Sequence, residues 1–574
     1  MRQGLLLALF VPCILMSAEI TVTDSDITAP NTVQFTADNT YILDGIVIVD
    51  SGATLEIGAG TVIKANPGAA LVVARHGTIN AVGSQASPIV FTAVSDDGSL
   101  TMEDNGLWGG IIILGNAPVV TGDDGGIAGL PSGEAKAVYG GTDATDNSGV
   151  MQYVSIRHAG QAIEEDSPMA GLVFAGVGNG TTVDYIEVAA AGHNGIEFHG
   201  GSVACKHLVS VFTGENNYSF SESWNGKGQF WFSLENFDTT DYDNVTALHR
   251  GTGDSDTEDG PVFANVTYLG DGQVDGTVIR SHHGVFFRNN SAAKYHNCLF
   301  EDYTGKALCI EDAQQPDSLD SRKRMESGDL ILSGCIFYSF GKNDEPDSNF
   351  VFMWDTLVDN ETQTIFKTQQ YAFNAMDEDP VESDYIAIQD SLRGGWSSFA
   401  AASTGIFRIS REFNDGASLN PAVHPQSQAF EKDYFPLSEV NDPWFDAVDY
   451  RGAFSSDSND IWLDGWTCLS ASGLRPTAIY RNSQRADAIM GQRMNKMVRR
   501  SNNTLSIAIP PAIRSGFKTY ITDSRGRRCA LPSRASSHHD GRHLVFPLDE
   551  FSRGVYFCRI ESGTRNITIP LVVR

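Results

Sequence analysis

The chain has 574 residues, 57 of them glycine, and sets 40 Lys and Arg against 71 Asp and Glu for a net charge of −31. From Ala471 onward lie 18 of the basic residues but only 6 of the acidic ones, so the tail carries +12 and the body before it −43. A body this acidic repels nucleic acid and anionic membrane, which sets both aside as partners, and the basic tail reads as a separate domain.

Met1–Ala18 (MRQGLLLALFVPCILMSA) has a basic start, an apolar run from Leu5 to Met16 and small residues before Glu19, the pattern of a secretory leader. It is too short for a membrane span. Short strands then follow closely, among them TYILDGIVIVD, ATLEIGAGTVIKA, AALVVARHGTINAVG, PIVFTAV and LWGGIIILG, with turns of Gly, Asn, Asp and Pro between them. In ATLEIGAGTVIKA the residues Leu55, Ile57 and Val62 alternate with polar ones, which predicts one face inside a narrow tube and one outside.

The repeat is least interrupted over Gly176–Gly228. At an offset of 22, Ile186 meets Leu208, Gly192 meets Gly214, Asn194 meets Asn216, Ile196 meets Tyr218 and Phe198 meets Phe220. Upstream, Tyr153–Gly160 fits Tyr185–Gly192 at an offset of 32, with an insertion in that rung. A period in the low twenties without a helical phase is the mark of a solenoid, whose units bury their apolar faces only by stacking. Insertions are expected at Gly122–Gly133, Glu164–Met169, Asp238–Gly260, Asp312–Gly328 and much of Asn343–Gln428. Asp442–Thr467 is rich in aromatic residues and reads as the last rung and its plug, since an open solenoid end needs covering. From Ser501 to the end, runs such as TLSIAIP, KTYITDS, HLVFPL and GVYFCRI alternate cleanly, as in a small antiparallel β-sandwich.

The seven cysteines beyond the leader are dispersed without a CxxC pair, which speaks against zinc and for buried thiols. Cys298 and Cys335 sit in similar strand contexts, as in a stacked ladder. His193, Glu197 and His199 share one face of an extended strand, but a strand holds its ends too far apart for one zinc ion, so they read as packed residues. The densest acidic loop carries Asp254, Asp256, Glu258 and Asp259, oxygen donors of the kind calcium takes; its spacing is not that of an EF-hand. Trp224, Phe230 and Trp231 are candidate stacking platforms for sugar rings, set against the commoner role of aromatics at strand spacing as core.

The segments TYILDGIVIVDSGATLEIGAGTVIKA, ALVVARHGTINAVG, LWGGIIILGNAPV, VYGGTDATDNSGVMQYVSIRHAG, GIEFHGGSV, WNGKGQFWF, VDYRGAF and WLDGWT resemble a family of exported bacterial surface proteins of the pectin-lyase-like, right-handed parallel β-helix architecture. The ending GRHLVFPLDEFSRGVYFCRIESGTRNITIPLVVR resembles the C-terminal sorting domain of type IX (Por-type) secretion. These resemblances imply passage through the outer membrane with the type IX machinery as partner, and no settled reaction. The family's acidic GDDxFDWDxGW-like run is replaced here by Gly214–Trp224 (GENNYSFSESW), which removes most of its carboxylates. β-Helix pectinases hydrolyse with clustered aspartates or eliminate with calcium and an arginine base. His282, His283 and Arg288 faintly echo the hydrolase type, and Asp96-Asp97 and Asp123-Asp124 supply adjacent carboxylates.

The expectation is therefore an all-β chain: a leader over 1–18, a right-handed parallel β-helix over 19–470, a basic linker over 471–500 and a C-terminal antiparallel β-sandwich over 501–574. The expected role is an exported surface scaffold that binds polysaccharide without catalysis. The alternative is a polysaccharide lyase or glycoside hydrolase on the same tube.

Overall fold

The computed structural model describes residues 18–120, 127, 130, 136–164, 167–235, 245–252, 260–270, 283–303, 308–311, 319–340, 436–455 and 461–471. It also gives the backbone of strands at 351–359, 364–372, 398–399 and between 498 and 573. The chain divides into two compact units, 1–478 and 479–574.

The first unit is a parallel β-helix built from three columns of strands. The first column is a separate sheet that runs through Ile46–Val49, Ala70–Val73, Ile111–Leu114, Leu172–Ala175, Ile196–His199, Tyr218–Ser221, Val245–Arg250, His283–Arg288 and Leu308–Glu311. The second and third columns merge into one 19-stranded sheet. They merge because Gly149–Arg157, Thr182–Ala189 and Ala204–Val211 each bend across the corner and pair in both columns.

Backbone geometry at that corner explains the bend. Tyr153, Tyr185, His207, Phe230, Asn265, Asn297 and Gly334 follow one another up the stack with φ of 51, 55, 48, 59, 53, 56 and 66°. Left-handed backbone costs an L-residue about 1 kcal/mol or more, least for Asn and not at all for Gly. The later rungs use those residue types. The earlier rungs carry rings instead, which stack on the outside at 4.3 Å (Tyr153–Tyr185), 4.1 Å (Tyr185–His207) and 5.0 Å (His207–Phe230).

The residue after each corner turns inward, giving the continuous buried stack Val154, Ile186, Leu208, Trp231, Val266, Cys298 and Cys335. The 22-residue register therefore holds, with Ile186 on Leu208, Ile196 on Tyr218 and Phe198 on Phe220. A second inner stack climbs the first column as Phe174, Phe198, Phe220, His249 and Phe287, at ring spacings of 5.4, 5.5, 4.4 and 4.6 Å. Burial holds His249 neutral, with its pKa lowered to about 3, and its Nε2 pairs with the Tyr295 hydroxyl at 2.8 Å. At the turn into the first column, Asn216 Nδ2 donates to Asn194 Oδ1 at 2.8 Å, and the Val245 N–H donates in turn to Asn216 Oδ1 at 3.0 Å. Gly214 fits there because a Cβ would lie 2.4 Å from the Gly192 carbonyl oxygen. The five described cysteines are buried, with Cys298 and Cys335 on successive rungs of the inner stack.

Two expectations need correction. Val62 points outward and Ile63 and Ala65 point inward, because Thr61 is bound back to the Gly58 carbonyl and takes an inner position itself. Residues 436–455 and 461–471 do not plug the tube. They run as a strap along its flank that first climbs, from Asp446 on Gln229 through Tyr450 on Asn265 to Arg451, whose Nε donates to the Gly334 carbonyl. From there it returns against the direction in which rungs are added, with Gly452 N–H donating to Asn297 and Gln85 Nε2 to the Asp464 carbonyl. The strap covers an apolar outer face formed by Val209, Val211, Phe232 and Leu234, using Phe454, Leu463 and Trp466.

The second unit contains two four-stranded antiparallel sheets. Val498–Ser501, Thr504–Ala508, His543–Pro547 and Ser536–Ser537 form one; Arg528–Cys529, Lys518–Asp523, Gly554–Ser562 and Arg565–Val573 form the other.

Candidate functional site

The strap leaves a groove open along the outer face of the second column. Thr182, Asp184, Ala204, Lys206 and Lys227 stand on that face because alternate residues of each strand point away from the tube. The cavity measures about 870 Å³ and is also bordered by Asn179, Asn225 and the half-buried Trp444. Trp444 is positioned by its neighbours on the strap. Phe445 is buried against Ala264, and the Gln229 side chain clamps Asp446 through both its N–H (2.8 Å) and its carbonyl (2.9 Å). Lys206 Nζ lies 5.0 Å from the Trp444 ring centre and 2.7 Å from Asp446, while Lys227 pairs with Asp442. Burial would raise the Asp442 carboxyl, but Lys227 and the Trp444 N–H outweigh it and hold the pKa below its ordinary value. Asp184 is itself paired with His207 Nδ1 at 2.7 Å. The groove thus combines an indole face, paired charges and side-chain amides.

A second polar constellation occupies the outer face of the first column. Glu197 and His199 alternate with the inward Ile196 and Phe198, and the next rung places Ser221 beside His199. Asn194 Nδ2 donates to Glu197 Oε1 at 2.6 Å, Glu197 Oε2 faces His199 Nε2 at 2.8 Å, and His199 Nδ1 faces Ser221 Oγ at 2.7 Å. Burial would raise the Glu197 pKa. The bonds from His199 and Asn194 and the charges of His199 and His193 outweigh it and bring the pKa to about 2. Continuing up the column, Arg250 and Arg288 stand on adjacent strands. Burial and the Arg288 charge lower the Arg250 pKa.

Over residues 26–378, more than half its length, the chain matches the family model of a pectate-lyase-like β-helix domain. The protein belongs to this family. No curated protein and no solved structure matches it.

Within this β-helix the aromatic platforms expected from the sequence are not on the surface. Trp231 belongs to the inner stack and is fully buried; Trp224 packs inside on Phe198 and Phe220 at 4.4 and 5.1 Å. Phe230 lies on the outer corner, but the strap covers it, with Tyr450 6.4 Å away. The ring that borders the groove is Trp444, which the sequence assigns to a plug. The acidic loop Asp254, Asp256, Glu258 and Asp259 lies outside the described residues, as do Asp123, Asp124 and His282. Among the described residues no three His, Cys, Asp or Glu are grouped so as to hold a metal ion. His193 and His199 go to different partners, His193 to Glu215 at 3.0 Å and His199 to Glu197. Asp96 and Asp97 are held in a local turn, Asp96 by Thr92 Oγ1 (2.7 Å) and the Gly98 N–H (2.9 Å), Asp97 by the Ser99 N–H (3.0 Å). No helix among the described residues is long and apolar enough to cross a membrane.

Proposed function

We propose that the protein is an exported surface scaffold that binds a neutral polysaccharide in the groove between strap and tube. The observation that carries this reading is the half-buried Trp444 beside a cavity of about 870 Å³ whose two lysines already have carboxylate partners. A cavity of this size suits a short run of sugar rings. Their apolar C–H faces stack on an indole while hydroxyls reach Asn179, Asn225 and Asp184. With Lys206 and Lys227 neutralised and the body at −43, a polyanion gains little local attraction and meets long-range repulsion. Export rests on the leader-like Met1–Ala18 and on the tail's likeness to type IX sorting domains, and the tail would engage that machinery.

A glycan array followed by titration calorimetry tests the reading. Neutral oligosaccharides should bind, with affinity nearly independent of salt and lowered at least about tenfold by Trp444→Ala, roughly the 1.4 kcal/mol of a lost stacking contact. A preference for polyuronates, or release of unsaturated products absorbing in the ultraviolet, would replace this reading with that of a lyase.

A further inference from the structure

We propose that Glu197, His199 and Ser221 form a nucleophilic relay that hydrolyses carboxylic esters, a chemistry separate from binding in the groove. The three side chains make one hydrogen-bonded line, Glu197 Oε2 to His199 Nε2 at 2.8 Å and His199 Nδ1 to Ser221 Oγ at 2.7 Å. An ionised carboxylate accepts only, so Glu197 fixes the imidazole with its proton on Nε2. Nδ1 then carries the bare lone pair, and Ser221 Oγ–H donates to it. This is the arrangement of acid, base and hydroxyl that nucleophilic catalysis requires, reached here on the outside of a β-helix.

The surroundings fit the chemistry. Asn194 holds the far oxygen of Glu197, so the carboxylate cannot rotate away from the imidazole. Glu197 and His199 keep only 12% and 24% of their side-chain surface exposed, which shelters the line from water, while Ser221 lines a cleft of about 40 Å³ together with Arg250. Immediately after Ser221 the chain makes a strained turn, with Glu222 and Ser223 both left-handed at φ 53 and 59°. Two consecutive non-glycine residues in that region cost about 1 kcal/mol or more each, and such strain collects where a side chain must be presented in one direction. Ser223 borders both the cleft and the larger groove, so an acyl group projecting from a groove ligand would pass this turn.

In the reaction, Ser221 Oγ attacks the ester carbonyl carbon as its proton passes to His199 Nδ1, and Glu197 balances the imidazolium charge. The guanidinium of Arg250, in the same cleft, stabilises the oxyanion. Collapse breaks the bond to the alcohol oxygen, which leaves with the proton from His199 and leaves Ser221 acylated. Water then adds to the acyl carbon, returning a proton through His199, and the Oγ–acyl bond breaks to release the carboxylic acid. The sum is ester plus water giving alcohol plus acid, with no other reactant.

The test uses the full chain and two probes. A fluorophosphonate should label wild type on Ser221, located by peptide mass spectrometry, and p-nitrophenyl acetate should be turned over. Ser221→Ala and His199→Ala should each lower that turnover at least about 100-fold, the usual share of a nucleophile or general base, with circular dichroism unchanged. Glu197→Gln should lower it less than His199→Ala does. Labelling of wild type needs no variant to fold, so absence of label on Ser221, label on another residue, or undiminished turnover in Ser221→Ala would each overturn the proposal. Oligosaccharide binding in the groove is measured separately, so loss of one activity leaves the other legible.

Discussion

Replacing Glu197 by Gln tests how the relay's carboxylate is held, through the stability of its rung. The folded-state pKa of Glu197 is about 2 against an ordinary 4.5, a fall of roughly two and a half units, or about 3 kcal/mol of preference for the ionised form. Because the folded value is depressed, that stability is fully present above the unfolded value near 4.5 and is lost as pH falls through the folded value near 2. Gln stands in for the protonated acid. In urea, which leaves charges unscreened, wild type should exceed Glu197→Gln by roughly 3 kcal/mol at pH 6 and by less than about 1 kcal/mol at pH 2.5. Tryptophan fluorescence is the suitable reporter, because Trp224 and Trp231 pack on Phe198, the residue between Glu197 and His199. A gap that stays constant with pH, or widens towards acid, would refute the argument.

Two further outcomes concern the strap and the stack. Trp466 is buried against Tyr153 and Tyr185 at 5.7 and 6.1 Å, so Trp466→Ala should cost about 3–5 kcal/mol and speed limited proteolysis at 461–471 while circular dichroism keeps its strand signature. Ile186→Asp places an unpaired charge between Val154 and Leu208 and should abolish cooperative folding of the neighbouring rungs, seen as loss of near-ultraviolet circular dichroism.

Sequence offsets show the solenoid because stacking forces like residues into register: Ile186 on Leu208 and Phe198 on Phe220 are visible as a repeat in the sequence alone. Phase within a rung was less legible. Val62 reads as inward because nothing in its run of residues shows that Thr61 folds back on Gly58 and takes the inner position. The strap was read as a plug since an aromatic cluster serves equally to close an end or to cover a flank, and only contacts such as Arg451 to Gly334 give its direction. Its groove was hidden for a related reason, with Lys206 and its partner Asp446 lying 240 positions apart. The relay was half visible. Glu197 and His199 share a strand face by parity, and Ser221 follows His199 by the same offset of 22 as the core. A serine at a repeat position is too ordinary to stand out, and the family likeness points to carboxylates that the chain lacks. Trp224 and Trp231 misled because an indole at strand spacing looks the same from either side of the tube.

The central claim is that the working surface is the groove between strap and tube, and hydrogen exchange with and without a bound neutral oligosaccharide tests it most directly. The account predicts slowed exchange of backbone amides at 179–184, 202–206 and 442–446, with other described rungs unchanged. Protection confined to the opposite faces of the tube, or none at saturating ligand, would contradict it.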